Sequence, residues 1–224
     1  MVMSIEKQNE LVLCFKSELM YGFSGLLNNH PKELSIFGVS KQKSDLDWFH
    51  HCLRNSLFMP RGIIEESYEY KQIIPYIIMK NGDKYFTYSR DGNEKRLSGS
   101  LSVGVGGHIN NYDFNNDLSM IVRDSARREF KEEVFMEKSY SNDILTLAAL
   151  SDQPRAVMYA GGDEMSVNLV HFGVIYVVNV YDDFLESTDL KEEGLKVGWI
   201  PREELLLCKN ELELWSQLVV EACL

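Results

Sequence analysis

Three glutamates and an arginine lie close together in the stretch Ala126–Met136, which reads ARREFKEEVFM. On a helix, positions i, i+3 and i+4 share one face, so Glu129, Glu132 and Glu133 would lie together beside Arg128. Like charges at that spacing repel, and each such pair costs roughly a few tenths of a kcal/mol. Either solvent or a bound cation must therefore offset the repulsion.

The segments before this stretch predict how its carboxylates are positioned. SLSVGVGGHI predicts a strand that ends in glycines, NNYDFNND predicts a polar loop, and a helix is expected from about Leu118 to Met136. Glycine lets a ligand approach the backbone closely, and clustered carboxylates are the hard oxygen ligands that Mg²⁺ prefers. Because Mg²⁺ commonly shares phosphate oxygens with the protein, the arrangement indicates phosphate chemistry.

The remaining pattern predicts a mixed α/β domain. A helix is expected from Ser44, and KQIIPYIIMK, NGD and KYFTYSR together predict a hairpin with an Asn-Gly turn. Further strands are expected in ELVLCF, DILTLAALS, SVNLVHFGVIYVVNV and VGWIP, followed by a helix begun by Pro201 and a closing amphipathic helix. The change of pattern near residue 70 predicts an extension over 1–69 and a main domain over 70–224.

Composition limits the classes of function. The 224 residues include 23 basic and 34 acidic side chains, a formal net charge of −11 that argues against long nucleic acid as a partner. No CxxC pair occurs among the four cysteines, which favours reduced thiols. The charged N-terminal segment and the lack of a long apolar run predict a cytoplasmic protein with no membrane partner.

The segment Gly107–Met136 resembles the Nudix box, whose pattern is G-x5-E-x7-R-E-U-x-E-E-x-G-U with U a bulky aliphatic residue. Residues 128–133 match R-E-U-x-E-E, with Phe130 at the position of U. The neighbouring KQIIPYII and SVGVGGHI are similar to a subgroup of Nudix phosphoesterases that carry an N-terminal extension.

The resemblance implies a Nudix-type α/β/α sandwich around a mixed sheet, with an N-terminal α+β extension. It implies a Mg²⁺-dependent (or Mn²⁺-dependent) pyrophosphohydrolase that cleaves a diphosphate linkage in a small nucleoside diphosphate derivative, and dimers are common in the family. The metal ligands it implies are the carboxylates of Glu129, Glu132 and Glu133 and the carbonyl oxygen of Gly107. Arg128 would orient one of these carboxylates by a charged hydrogen bond.

The sequence departs from the box at three positions. Phe114 stands where the first Gly is expected, so that Gly107 implies a seven-residue insertion in the loop. Met120 stands at the first Glu, for which Asp113 or Asp117 could substitute. Phe135 replaces the late Gly, and we therefore expect the helix to run on or to end differently.

Several roles and functions stay open at this point. Glu164 is the best candidate for the general base, followed by Glu192 and Glu193, while His108 and His171 are weaker candidates for the site. Two alternatives to the hydrolase remain: a non-catalytic module that binds a nucleotide or metabolite and regulates a partner, and, ranked lower, an isoprenoid diphosphate isomerase-like enzyme. The sequence does not name the substrate.

Overall fold

A computed structural model describes residues 4–22, 38–41, 43–89, 100–113, 117–135, 154–159, 169–180, 189–190 and 197–222. The predicted strand DILTLAALS, residues 143–151, lies outside these ranges. Among the helices of the described residues, none is long and apolar enough to cross a membrane.

Among the described residues, two strands have nine residues or more and the others have at most six. They are β1 Leu11–Lys16, β2 Gly38–Ser40, β3 Leu57–Pro60, β4 Tyr70–Asn81, β5 Lys84–Ser89, β6 Leu101–Ser102, β7 Gly104–Gly106, β8 Val134–Phe135, β9 Ala156–Tyr159, β10 His171–Asn179, β11 Asp189–Leu190 and β12 Val197–Pro201.

The helices of the described residues have between 4 and 16 residues. They are α1 Ile5–Asn9, α2 Lys43–Arg54, α3 Arg61–Ile64, α4 Leu118–Glu133, α5 Arg202–Leu207 and α6 Leu214–Ala222, with 3₁₀ turns at Ser17–Gly22, Asn111–Asp113 and Lys209–Glu211.

The sheet contains both antiparallel and parallel neighbours. β4 pairs antiparallel with β5 through the predicted turn, where Gly82 has a φ of 57° that favours glycine. β4 and β10 run parallel, since the Gln72 N–H donates to the Val170 carbonyl at 2.7 Å and the Val180 N–H to the Lys80 carbonyl at 2.8 Å. The predicted mixed α/β class is therefore confirmed.

The chain divides into two compact units, each assembled from three ranges. Unit 1 holds Met1–Pro75, Gly107–Ser125 and Ala156–Val174, and unit 2 holds Tyr76–Gly106, Ala126–Arg155 and Ile175–Leu224. These units do not follow chain order. The predicted division into 1–69 and 70–224 stays a prediction.

Unit 1 is built around buried aromatic side chains. Strand β1 pairs with β3 on one side and with the start of β4 on the other, and its residues 12–15 are at most 1% exposed. The Phe172 ring of β10 contacts Phe15, Trp48 and Phe49, with ring centroids 5.4, 5.7 and 5.6 Å away. These contacts join β10 to residues of the first third of the chain.

Unit 2 has a polar network inside its apolar core. One carboxylate oxygen of Glu213 accepts hydrogen bonds from the hydroxyls of Tyr76, Ser102 and Ser216, at 2.9 to 3.0 Å. A Cβ on Gly104 would lie 2.2 Å from the Tyr76 ring, so glycine is required there by packing.

Candidate functional site

Helix α4 carries the predicted R-E-x-x-E-E residues, and it buries only one of the three glutamates. Its buried side chains recur at helical spacing: Ile121, Val122, Ser125, Ala126, Glu129 and Phe130. Glu129 is 7% exposed and belongs to this stripe, whereas Glu132 and Glu133 are exposed. The three carboxylates therefore differ in their solvation, which the repeat of Glu in the sequence does not reveal.

Arg128 joins two of these carboxylates through a single nitrogen. Its Nη1 atom lies 2.7 Å from Glu129 Oε1 and 2.8 Å from Glu132 Oε2. Both distances are in the range of strong, charge-assisted hydrogen bonds. Arg128 thus holds a buried and an exposed carboxylate in one arrangement and offsets part of their repulsion.

Burial raises the pKa of the Glu129 carboxyl to about 7, against the lowering effect of the Arg128 guanidinium. The charges of Glu132 and Glu133 raise the pKa of Glu129 further. A carboxyl with a pKa near neutrality can hold or release a proton at working pH, and such groups are frequent at functional sites, although structural ion pairs also shift pKa values. A cation next to Glu129 would favour its ionised form.

A second group of ligating side chains lies in unit 1. Glu65, in the turn after α3, His108, two residues after β7, and His171, the first residue of β10, place their ligand atoms within 4.8 Å of one another. The Nε2 atom of His108 is 3.9 Å from Glu65 Oε1, and the two imidazole rings meet edge-on at 5.5 Å. Within the described ranges, no other set of three His, Cys, Asp or Glu side chains reaches this spacing.

Comparison with known proteins identifies the family. No model of a known protein family matches the sequence. Protein YmaB of Bacillus subtilis (strain 168) is 31% identical over 169 residues, which span 73% of this chain and 76% of YmaB. The chain belongs to the YmaB family.

The fold of this YmaB-family protein is also found among solved structures. The crystal structure of Tm1382, a "putative Nudix hydrolase", matches with a TM-score of 0.68 and 21% identity, over 95% of this chain and 97% of Tm1382. At this identity the match concerns the fold alone. The resemblance to the Nudix hydrolases that the sequence predicted is confirmed at that level, and so is the predicted fold class.

The structure places the other predicted residues of this YmaB-family protein as follows. Gly107 is partly buried in the segment after β7, and its predicted role as a ligand stays a prediction. Glu164, with Glu192 and Glu193, lies outside the described residues. Asp113 Oδ2 accepts hydrogen bonds from the Asn110 N–H at 2.8 Å and the Ser125 hydroxyl at 2.6 Å.

Sequence reasoning did not find Glu65. It is 43 residues from His108, which is 63 residues from His171, so no local spacing joins the three. The signal that existed was weaker: His108 directly follows the glycines that end a predicted strand, and His171 lies within a predicted alternating one. Only the pairing of the strands brings them together.

Proposed function

We propose that this YmaB-family protein is a metal-dependent hydrolase of the Nudix type, which cleaves a diphosphate linkage in a nucleoside diphosphate derivative. One observation carries the proposal: a single Arg128 nitrogen contacts both Glu129 and Glu132, in a chain that shares its fold with Tm1382. This is the geometry expected if the R-E-x-x-E-E residues work together. A helix face that is merely solvated has no need to bury one of its glutamates.

The residues of α4 fit a hard divalent cation. Their donor atoms are carboxylate oxygens, which suit Mg²⁺ or Mn²⁺, and Glu129 is a buried carboxyl that a cation would ionise. Glu129, Glu132 and Glu133 would hold the ion. When bound, such an ion polarises a phosphoryl group and lowers the pKa of the attacking water.

The chain itself contributes orientation and charge. Arg128 fixes the carboxylates of Glu129 and Glu132, so that two ligands keep their direction. In the reaction, water adds to one phosphorus, the bridging P–O bond breaks, and the leaving phosphate takes the electron pair. The proton lost by the water needs a base, and Glu164 remains our candidate.

Turnover of a panel of nucleoside diphosphate derivatives tests this proposal, with and without Mg²⁺ or Mn²⁺. We expect the double variant Glu132→Gln, Glu133→Gln to reduce turnover by orders of magnitude, because it removes two anionic ligands. The matched control is Glu203→Gln, Glu204→Gln, an exposed glutamate pair at the start of α5, which should keep full turnover.

Two outcomes would contradict the proposal. Wild-type turnover in the Glu132, Glu133 variant would remove these glutamates from the site. Absence of turnover on every derivative, with nucleotide binding retained, would favour the regulatory binding module instead. Circular dichroism of each variant establishes that a loss of turnover is not a loss of fold.

A further inference from the structure

We propose that Glu65, His108 and His171 together bind a divalent transition-metal ion, with Zn²⁺ as the representative ion. The three side chains come from three separated segments, yet their ligand atoms approach within 4.8 Å of one another. All three are only partly exposed, and the side chains of His108 and Glu65 are 13% and 17% exposed. The proposal does not depend on the hydrolase activity, because none of the α4 glutamates belongs to this set.

The spacing within the group suits a shared ion better than a direct hydrogen bond. His108 Nε2 and Glu65 Oε1 are 3.9 Å apart, whereas an N–H···O hydrogen bond spans about 2.7–3.2 Å. Two ligands at about 2.0–2.1 Å from a tetrahedral Zn²⁺ lie about 3.4 Å from each other. A closure of roughly half an ångström would therefore bring this pair to ligating distance.

The donor set determines which class of metal the group would select. Two imidazole nitrogens and one carboxylate suit Zn²⁺ and its first-row neighbours, whereas Mg²⁺ favours oxygen ligands and retains several waters. Three protein ligands also leave a coordination position for water or for a ligand atom. The chain thus presents two chemically different donor sets, one nitrogen-rich in unit 1 and one all-oxygen on α4.

An arginine and a backbone hydrogen bond hold two of the three ligands, Glu65 and His108, in place. Arg61 Nε donates to Glu65 Oε1 at 3.0 Å, and Arg61 Nη1 lies 3.3 Å from Glu10 Oε2, so the Glu65 carboxylate is directed by a fixed partner. The Leu13 N–H donates to the carbonyl of Ile109, the residue next to His108. Ligands whose positions are fixed before binding lose little entropy when the ion binds.

Metal titration of the chelator-stripped full chain tests the proposal without any activity assay. Zn²⁺ binding is measured by calorimetry, and Co²⁺ binding by its visible absorption, which reports nitrogen ligands. We expect His108→Ala and His171→Ala each to weaken Zn²⁺ binding at least tenfold. Each should also abolish the visible absorption band of Co²⁺ bound through nitrogen ligands, called here the nitrogen-type band. The exposed histidine variant His51→Ala on α2 is the matched control and should bind like wild type.

The Glu132→Gln, Glu133→Gln variant separates this proposal from the proposed function. It should keep the Co²⁺ band while losing turnover, so that either proposal can fail alone. If a histidine variant does not fold, as judged by circular dichroism with chelator, Glu65→Gln and His171→Gln decide instead. Wild-type binding in the folded variants, or no nitrogen-type band in wild type, would overturn the assignment.

Discussion

At the residue scale, the three glutamates of α4 are physically unequal. Glu129 is in the buried stripe and contacts Arg128 at 2.7 Å, while the Glu132 side chain is 54% exposed. The sequence correctly indicated that the helix bears a cluster of acidic residues. It could not show which member would be buried, because the three share one residue type and the burial depends on the surrounding packing.

The buried state of Glu129 predicts a pH dependence of stability. Its pKa is raised from 4.5 to about 7 in the folded chain, so between these values the folded state binds more protons than the unfolded state. Stability should therefore fall as pH rises from about 4.5 to 7, by about 3 kcal/mol for this group.

Urea unfolding of the metal-free protein at several pH values measures this dependence. Glu129→Gln cannot ionise, and relative to wild type it should gain stability as pH rises through that window. The exposed Glu203→Gln variant on α5 is the control and should run parallel to wild type. Parallel curves for Glu129→Gln and wild type would mean that folding does not raise the pKa of the Glu129 carboxyl.

Lys71 shows how a single residue can escape sequence reasoning. It opens the apolar run KQIIPYIIMK, where a charged residue suggests the exposed end of a strand, yet it is 2% exposed. Its ammonium donates to the Leu169 carbonyl and lies 5.5 Å from the Tyr159 ring centroid. Burial lowers its pKa to about 8. These partners come from a distant part of the chain and leave no local signal.

At the element scale, the sequence predicted correctly the elements that depend on residues close together in the chain. The hairpin turn expected at NGD was correct: Asn81 pairs with Lys84, and the two loop residues are Gly82, which supplies the positive φ, and Asp83. SLSVGVGGHI was expected to form one strand but is divided into β6 and β7 at Val103. The Val103 N–H donates to the Ser216 Oγ at 2.9 Å, a partner 113 residues away.

The C-terminal end of α4 also depends on residues far away in the chain. The replacement of the late box Gly by Phe135 predicted that the helix would run on or end differently from the family pattern. It ends at Glu133, and Val134–Phe135 forms β8, which pairs with β11. The stop comes from strand pairing with residues 189–190, which the sequence around the helix does not contain.

Asp113 fastens the loop before α4 to the helix, which gives a prediction about stability. Its Oδ2 atom accepts from the Asn110 N–H and from Ser125, whose side chain is fully buried. Asp113→Ala leaves both donors without this acceptor, so we expect the free energy of unfolding to fall by about 1–3 kcal/mol. Ser125→Ala retains the bond to Asn110 and should be milder.

Denaturant unfolding together with turnover distinguishes two roles of Asp113: fastening the loop, or replacing the box glutamate missing at Met120. If it only fastens the loop, Asp113→Asn should lower stability and keep most turnover of the folded protein. Loss of turnover in a variant of near-wild-type stability would instead mean that Asp113 replaces the box glutamate missing at Met120. Asp117→Asn is the comparison, and we expect it to have the smaller effect on turnover.

At the scale of the whole molecule, the chain is not assembled in sequence order. Unit 1 takes residues from three ranges, and its core combines β1 and α2 with β10. A change of pattern near residue 70 was visible in the sequence. What the sequence could not show is that aromatic side chains from residues 1–69 pack against Phe172, because that contact spans more than a hundred residues.

A chain that begins at residue 70 should therefore fail to fold on its own. It loses the rings of Phe15, Trp48 and Phe49 around Phe172, and it loses β1 from the first residues of β4. Removing one large buried side chain costs about 3–5 kcal/mol, and a domain has only about 5–15 kcal/mol of stability. We expect residues 70–224 to be insoluble or to lack cooperative unfolding by circular dichroism.

The control deletes residues 1–9, which removes α1, a helix that buries no residue, and leaves Glu10 to pair with Arg61. This shorter deletion should fold, because the aromatic contacts and the β1 pairing remain. Supplying residues 1–69 as a separate chain should restore solubility to 70–224 if the two segments share one core. A monodisperse, cooperatively unfolding 70–224 would instead mean that the extension packs on a domain that is already complete.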